Sequence, residues 1–182
     1  MAKVSVIYHS GFGHTKVIAE AVARGAGQVP GTQVNLVSVE QVESQWEALD
    51  QADAIIFGTP TYMGSVSGPF KTFMDASAKT WFEQKWRDKL AAGFTNSGGM
   101  SGDKLNTLQT LAIFGAQHGM IWVGQAETVV PDGVNRLSSY LGVMTQSGNV
   151  APELEPGPAD QATGEALGRR VAKAAERWLK GA

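Results

Sequence analysis

Three short segments of the chain combine glycine with residues that carry hydroxyl or amide groups, and each follows an apolar run. They are Ser10–Thr15, Thr59–Gly68 and Asn96–Gly102. Such segments offer backbone N–H groups and hydroxyls without bulky side chains in the way. The first leads directly into a helical pattern, and the free N–H groups and dipole of a helix N-terminus favour an anion. Together they predict a site for a nucleotide-type ligand whose phosphate is bound mostly by neutral donors.

The first segment partly matches a known phosphate motif. The run from Gly11 to Lys16 begins like G-x-G-x-x-G, but Lys16 occupies the position of the third glycine. Glu40 follows the second predicted strand, where a dinucleotide fold has its ribose-binding acid, so a dinucleotide site stays open. The Walker pattern is absent from the sequence, which argues against nucleoside triphosphate hydrolysis. A phospho-receiver is disfavoured because Tyr8-His9-Ser10 provides no acidic cluster for Mg²⁺.

The elements that must position these segments are short apolar runs that alternate with helical patterns. Strands are predicted at 3–8, 33–39, 54–57, 90–96 and 120–124. Helical patterns run from Thr15 to the Gly25–Gly27 region, around Trp46 and Leu49, from Pro69 to Met74, from Leu105 to Gly115 with Gly119 as cap, and from Leu167 to Leu179. This alternation implies right-handed crossovers and an α/β fold with helices on both faces of a parallel sheet. Ligands bind beyond the carboxyl ends of such strands, so the three polar segments should meet there.

Residues 125–159 do not follow the alternation. Glycine and proline are frequent in this stretch, and its hydrophobic periodicity is weak. A stretch of this length without regular elements is usually functional or mobile. The strong helical pattern after it favours a loop excursion from one domain over a linker, so we expect a single domain over residues 1–182.

The composition excludes several classes of protein. Of the 182 residues, 43% are hydrophobic and 18% are charged, which provides enough apolar material for a core and too much for intrinsic disorder. Cysteine is absent, which excludes disulfides, thiol catalysis and cysteine-ligated metals. A net charge of -2 argues against binding to nucleic acid. No apolar stretch has the length of a secretory signal or a membrane span, so we expect a soluble, cytoplasmic protein.

Three stretches of the sequence resemble one known family. They are YHSGFGHTKVIAEAV, AIIFGTPTYMGSVSGPFKTFMD and FTNSGGMSGDKLNTLQTLAIFGAQHGMIWVG. The sequence resembles flavodoxin-fold FMN proteins, and most closely the WrbA type of NAD(P)H:quinone oxidoreductase. The resemblance extends over residues 1–125 and the last helix. It implies a flavodoxin-like, doubly wound, five-stranded parallel sheet with helices on both faces.

The resemblance also implies a set of site residues. The FMN phosphate would be bound by Ser10, Gly11, Phe12, Gly13, His14 and Thr15. The isoalloxazine would be lined by Pro60, Thr61, Tyr62, Met63 and Gly64, with Asn96, Ser97, Gly98, Gly99, Met100 and Ser101 beside the ring and the ribityl chain. Gln117 aligns with a family histidine near the flavin, and Phe12, Trp81 and His118 would bind substrate. No catalytic side chain and no metal ligand is assigned.

The sequence departs from the family pattern at three places. Tyr62-Met63 replaces the usual Arg-Phe, and residues 101–104, Ser-Gly-Asp-Lys, replace Gly-Gly-Gln-Glu. Gln117 replaces a histidine, although the neighbouring His118 is retained.

The function implied by the resemblance is an FMN-dependent NAD(P)H:quinone oxidoreductase. NAD(P)H would pass a hydride to FMN N5, and a quinone would then take two electrons in a ping-pong order, with no protein nucleophile required. The family implies a homodimer or homotetramer. An electron carrier of the flavodoxin type remains an alternative, although a net charge of -2 gives little steering toward basic partners. A regulatory or stress-response protein with an incidental flavin also stays open.

Several of these residues have a simple structural interpretation as well. His14 can be a first-turn helix residue, and His118 can stabilise the dipole at a helix C-terminus. Tyr62, in a polar loop, favours stacking on a ligand. Trp81, Phe82 and Trp86 suggest an exposed aromatic cluster at an interface or pocket wall, and Trp178 at helical spacing predicts a core residue.

Overall fold

Buried strands alternate with helices along most of the chain, as the apolar pattern predicts. The computed structural model describes residues 1–181. In chain order the elements are β1 (Ala2–Tyr8), α1 (His14–Gly27), β2 (Thr32–Ser38), a 3-10 turn (Val39–Ser44), α2 (Trp46–Asp50), β3 (Ala54–Tyr62), β4 (Ser65–Val66), α3 (Gly68–Ala76), α4 (Ala78–Phe82), β5 (Leu90–Ser97), α5 (Lys104–Gln117), β6 (Ile121–Trp122), β7 (Val143–Gln146) and α6 (Pro158–Lys180).

The strands form one sheet in the order β2-β1-β3-β5, with β6 and β7 both paired to β5. All these pairings are parallel; only β4 runs antiparallel, folded back on the end of β3. Alternate residues of the central strands face opposite cores: Ile56 packs with α1 and α6, while Phe57 packs with α3 and α5. The predicted doubly wound α/β class is confirmed. The strand order reverses between β1 and β3, and their carboxyl ends define the edge where a ligand is expected.

The fifth position of the sheet is shared by two short strands. β6 pairs with the start of β5 at Leu90 and Ala91, and β7 pairs with its end from Phe94 to Ser97. The predicted strand 120–124 is therefore too long, and residues 125–159 are not wholly a loop, since β7 lies within them. Only alternate residues of β7 are buried and the strand has four residues, so its apolar signal is weak.

Two tryptophans lie elsewhere than predicted. Trp86 is fully buried among aromatic rings of the second core, and its Nε1 donates to Asp50 Oδ1 at 2.9 Å. Trp81 and Phe82 are exposed as predicted, at 45% and 81%. Trp178 is 47% exposed, so its predicted core position is wrong. The reason is that α6 continues beyond Ala175, its last buried residue.

Helices α1 and α6 pack directly against each other through glycines. A Cβ added at Gly168 would overlap the carbonyl oxygen of Val22, and one added at Gly25 would overlap that of Glu165. The missing side chains allow the two helix backbones to approach closely along the C-terminal half of α1. Within residues 1–181, no helix is both long and apolar enough to span a membrane.

We expect Gly168→Ala to lower the free energy of unfolding by about 1–3 kcal/mol, because one helix must shift to admit the methyl group. Urea denaturation measures the change. Gly27→Ala is the matched control: Gly27 also lies in a helix, and a Cβ there meets only Val34 Cγ2 at 3.9 Å, an ordinary contact, so the stability should not fall. Equal effects of the two variants would contradict the close helix contact.

Candidate functional site

The three polar segments meet at the carboxyl edge of β1, β3 and β5, as predicted. They enclose a cavity of about 410 Å³, a volume within the usual range for small-molecule sites. Its lining residues are neutral or aromatic apart from one histidine: Ser10, Phe12, His14, Thr15, Pro60, Thr61, Tyr62, Asn96, Ser97, Gly98, Ser147, Gly148, Asn149 and Val150. The lining contains no carboxylate, so no negative side chain there repels a bound anion.

The first segment presents unpaired donors at the start of α1. Gly13 has a φ of 91°, in the left-handed region, which turns the chain into the helix. None of the five backbone N–H groups from Gly11 to Thr15 donates to an acceptor within residues 1–181. The Thr15 side chain is buried and its hydroxyl also makes no hydrogen bond there, whereas Ser10 Oγ accepts from the Lys16 N–H at 3.1 Å. This donor set fits a phosphate group.

Tyr62, in the second segment, contacts the first segment. Its hydroxyl lies close enough to Gly11 that a Cβ there would come within 2.7 Å of it, and its ring meets Phe12 edge-on at 6.3 Å. Burial raises the pKa of the Tyr62 phenol above its usual value. Met63 and Gly64, both at positive φ, form the exposed tip of the β3–β4 hairpin and do not line the cavity.

The third segment lines the cavity with its first half only. Asn96, Ser97 and Gly98 reach the cavity, whereas Gly99, Met100 and Ser101 turn away toward the start of α5. The Asn96 amide is already engaged: its Nδ2 donates to Ser147 Oγ at 2.6 Å, and its Oδ1 accepts from Thr145 Oγ1 at 2.9 Å. Asn96 therefore joins β5 to β7 and keeps one amide N–H for a ligand.

Residues 147–152 supply a fourth wall; they lie in the predicted excursion 125–159, but none of them was assigned to the site from the sequence. His14 Nε2 lies 2.8 Å from the Val150 carbonyl oxygen, and Pro152 packs on Gly13. His14 thus ties the start of α1 to this loop, beyond its position in the first turn. A sequence signal was present: Val-Met-Thr-Gln followed by Ser-Gly-Asn has the same apolar-then-polar form as the other segments.

Buried hydroxyl groups brace the segments behind the cavity. His9 Nδ1 lies 2.7 Å from Ser67 Oγ, which lies 3.1 Å from Thr59 Oγ1. Thr61 Oγ1 lies 2.8 Å from the hydroxyls of both Thr95 and Thr107. Burial lowers the pKa of His9, which favours the neutral ring in this network.

Gln117, His118 and Trp81 lie at the opposite, amino edge of the sheet. Gln117 is the last residue of α5, and His118 and Gly119 follow it, where the Asp88 N–H donates to the Gly119 carbonyl oxygen at 3.0 Å. Trp81 lies on α4, beside the same edge. Within one chain these three residues are therefore not brought together with the cavity, although Gly119 does follow α5 at a φ of 70° as the predicted cap.

His118 is a buried, neutral histidine. It stacks on Trp86 with ring centroids 4.4 Å apart, and its Nε2 lies 2.9 Å from Ser77 Oγ. Its Nδ1 has no partner within residues 1–181. Burial lowers the pKa of His118 to about 4, so the ring is uncharged at neutral pH and does not stabilise the helix dipole as a cation.

The model of the NADPH-dependent FMN reductase family matches residues 14–135. The chain belongs to this family. It is similar to flavodoxin FldP of Pseudomonas aeruginosa (strain UCBPP-PA14), at 39% identity over 183 residues that cover 95% of this chain and 96% of that protein. These matches and the donor set at α1 agree, and the chain is a flavoprotein oxidoreductase that binds FMN.

Two solved structures show how far the likeness extends. The flavodoxin, WrbA-like protein from Agrobacterium tumefaciens is 44% identical with a TM-score of 0.78, and the alignment covers 97% of this chain and 99% of that one. A flavodoxin from the domain Archaea is 22% identical with a TM-score of 0.69, over 96% and 99% of the two chains. The second shows the common fold alone.

Between pH 7 and pH 5, we expect the free energy of unfolding to fall by about 2 kcal/mol less in His118→Phe than in the wild type. His118 has a lower pKa when folded than the roughly 6.5 of an unfolded histidine. Unfolding therefore takes up a proton between these two pKa values, and the stability present above pH 6.5 is lost as the pH falls toward about 4. Urea denaturation at both pH values measures the effect.

The matched control for this experiment is Trp81→Phe. It changes an exposed ring on the neighbouring α4 and no titratable group, so it should retain the wild-type pH dependence. A His118→Phe variant with the wild-type pH dependence would show that the histidine is not held neutral by burial.

Proposed function

We propose that the protein is an FMN-dependent NAD(P)H:quinone oxidoreductase with its FMN in the cavity at the carboxyl edge of the sheet. The observation that carries the proposal is the run of five unpaired N–H groups from Gly11 to Thr15, which faces a cavity without carboxylates. An anion held there gains from oriented donors and the helix dipole, with no need for a cationic side chain. Lys16 is exposed and lies 3.9 Å from Glu20 instead.

We assign the residues around the cavity to different parts of FMN. The N–H groups of Gly11–Thr15 and the Thr15 hydroxyl would hold the phosphate. Pro60–Tyr62, Asn96–Gly98 and residues 147–150 would surround the rest of the cofactor, because these backbones form the other walls. FMN, when bound, accepts a hydride from a nicotinamide nucleotide and passes two electrons to an acceptor. The chain's own task is to bind, orient and partly cover it.

The aromatic pair at the cavity supports direct access for planar substrates. Phe12 is 75% exposed and Tyr62 is 38% exposed, so part of each ring is open to solvent. Two exposed rings beside a cofactor site provide a surface for a nicotinamide or a quinone to pack on. Donor and acceptor would use the same open side in turn, which gives the ping-pong order.

A flavodoxin-type electron carrier is the second candidate, favoured by the similarity to flavodoxin FldP. A carrier exchanges electrons with protein partners and does not oxidise NAD(P)H itself. The net charge of -2 gives only weak electrostatic steering toward such partners, which favours the enzyme.

Self-association stays a prediction of the family resemblance. Trp81 and Phe82 lie side by side on α4 and are largely exposed, so they give one chain an apolar surface for a second copy. A homodimer or homotetramer would bury this surface.

We expect Thr15→Val to weaken FMN binding by roughly 10- to 100-fold, because the hydroxyl is lost while the buried shape is kept. Fluorescence quenching on titration of FMN into apoprotein measures the dissociation constant. Thr110→Val is the control, since Thr110 Oγ1 donates to the Asn106 carbonyl within α5, away from the cavity. Unchanged FMN affinity in Thr15→Val would contradict the phosphate assignment.

The test of the reaction is the visible spectrum of the FMN-loaded protein during anaerobic addition of NADPH and then NADH. We expect rapid loss of the oxidised flavin absorbance, restored by benzoquinone, because both substrates can reach the cavity. Flavin that binds but is reduced by neither nucleotide would favour the carrier. Loss of FMN from the protein during the experiment is checked by filtration.

A further inference from the structure

Lys104 is a fully buried lysine that holds two carbonyl groups. Its Nζ donates to the carbonyl oxygens of Gly99 at 2.7 Å and Thr145 at 2.9 Å, and its side chain is 0% exposed. Lysine is almost never fully buried unless its charge is paired. Burial of the Lys104 charge therefore lowers the stability of the folded protein, and the fold keeps the lysine nonetheless.

No carboxylate within residues 1–181 forms an ion pair with Lys104. The charged groups that face it are Asp160 from α6 and Arg136 from the segment between β6 and β7. Asp160 is already committed: its oxygens accept from Arg136 Nε and Nη2 at 2.7 and 2.8 Å, and from the Gln146 N–H at 2.9 Å. The group of three therefore carries one excess positive charge.

Burial lowers the pKa of Lys104 to about 8, from the usual value near 10.5. The amino group thus remains mostly protonated at neutral pH. A charge inside the protein acts on its surroundings more strongly than one at the surface, because water screens it less.

The Lys104 ammonium group lies behind the wall of the cavity, bonded to residues that adjoin the lining. Gly99 directly follows Gly98, which lines the cavity, and the Thr145 hydroxyl donates to the side chain of Asn96, another lining residue. Lys104 is therefore the buried cation behind the third segment, whereas the cavity lining itself contains no lysine or arginine.

We propose that the buried charge of Lys104 sets the affinity of the site for reduced FMN relative to that for oxidised FMN. Uptake of two electrons and one proton leaves the isoalloxazine with one more negative charge than the oxidised form has. A fixed positive charge behind the cavity wall stabilises that added charge and leaves the phosphate contacts unchanged. The proposal rests on the placement of FMN proposed above but not on the identity of the electron donor or acceptor.

The competing explanation is that Lys104 only joins the third segment to β7. Loss of that link would weaken binding of both redox forms by the same factor. Loss of the charge instead changes the ratio of the two dissociation constants. The ratio therefore separates the electrostatic role from the structural one.

The experiment compares the dissociation constants of oxidised FMN and of dithionite-reduced FMN, measured anaerobically, for the wild type and Lys104→Gln. Glutamine keeps a donor and loses the charge. We expect the preference for reduced FMN to fall by about tenfold, which corresponds to about 30 mV for a two-electron couple. An unchanged ratio, with both constants raised equally, would overturn the proposal.

Lys89→Gln is the matched control. Lys89 Nζ also donates to two carbonyl oxygens, those of Asp50 and Ala52, but at the amino edge of the sheet. For Lys89→Gln, the ratio of the two dissociation constants should equal that of the wild type. A fall in the preference for reduced FMN as large as that in Lys104→Gln would overturn the specific role of Lys104.

A measurement on the wild type decides the case if Lys104→Gln does not fold. As the pH rises through about 8, Lys104 loses its charge, so the preference for reduced FMN should fall, after correction with free FMN for the flavin's own titration. Because the added negative charge on the bound flavin itself favours the ammonium form, the fall extends above pH 8, and a constant preference up to about pH 10 would overturn the proposal. A wild type that binds neither form would instead contradict the placement of FMN itself.

Discussion

Five consecutive backbone N–H groups at the start of α1 have no acceptor in the described chain, and much of the structure serves to keep them so. A helix begins with unsatisfied donors, and most helices cap them with a side chain. Here the capping position is Gly13, which has no side chain to offer. Its left-handed backbone and the Pro152 ring on top of it fix where the donors point. The close contact of α1 with α6 then fixes the helix on the sheet.

Buried polar contacts join the other walls of the cavity to one another. The Thr61–Thr95–Thr107 hydroxyls join β3, β5 and α5, and the Asn96–Ser147 contact joins β5 to the fourth wall. These bonds are directional, so they fix the loops more tightly than apolar contacts of equal number would. A site built in this way is pre-organised, and little binding energy is lost in ordering it.

The sequence predicts what depends on local pattern. Strand and helix periods located the elements, and the polar segments after β1, β3 and β5 located the cavity, because parallel strands bring their carboxyl ends to one edge. Residues 147–150 were not predicted to line the cavity, because β7 before them has only four residues, half of them buried, and its strand signal is weak. Trp86 and Trp178 show the same limit. The polar residues around Trp86 suggested exposure, but its ring packs in the second core. The spacing of Trp178 suggested burial, but α6 extends past Ala175, its last buried residue. Gln117 and Trp81 were assigned to the flavin and the substrate through the family resemblance, whereas the alternation of strands and helices already implies that the end of α5 lies at the amino edge of the sheet.

The divided fifth strand has a consequence for the entropy lost in closing the cavity. Asn96 and Thr145, which join β5 to β7, are 49 residues apart in the chain. Contacts across such a loop carry a larger entropic cost of closure than the neighbouring pairings of β5 with α5 or β6. The fourth wall of the cavity is therefore the one whose closure costs more entropy than that of its neighbours. The directional contacts that Asn96 and Lys104 make with Ser147 and Thr145 offset this cost.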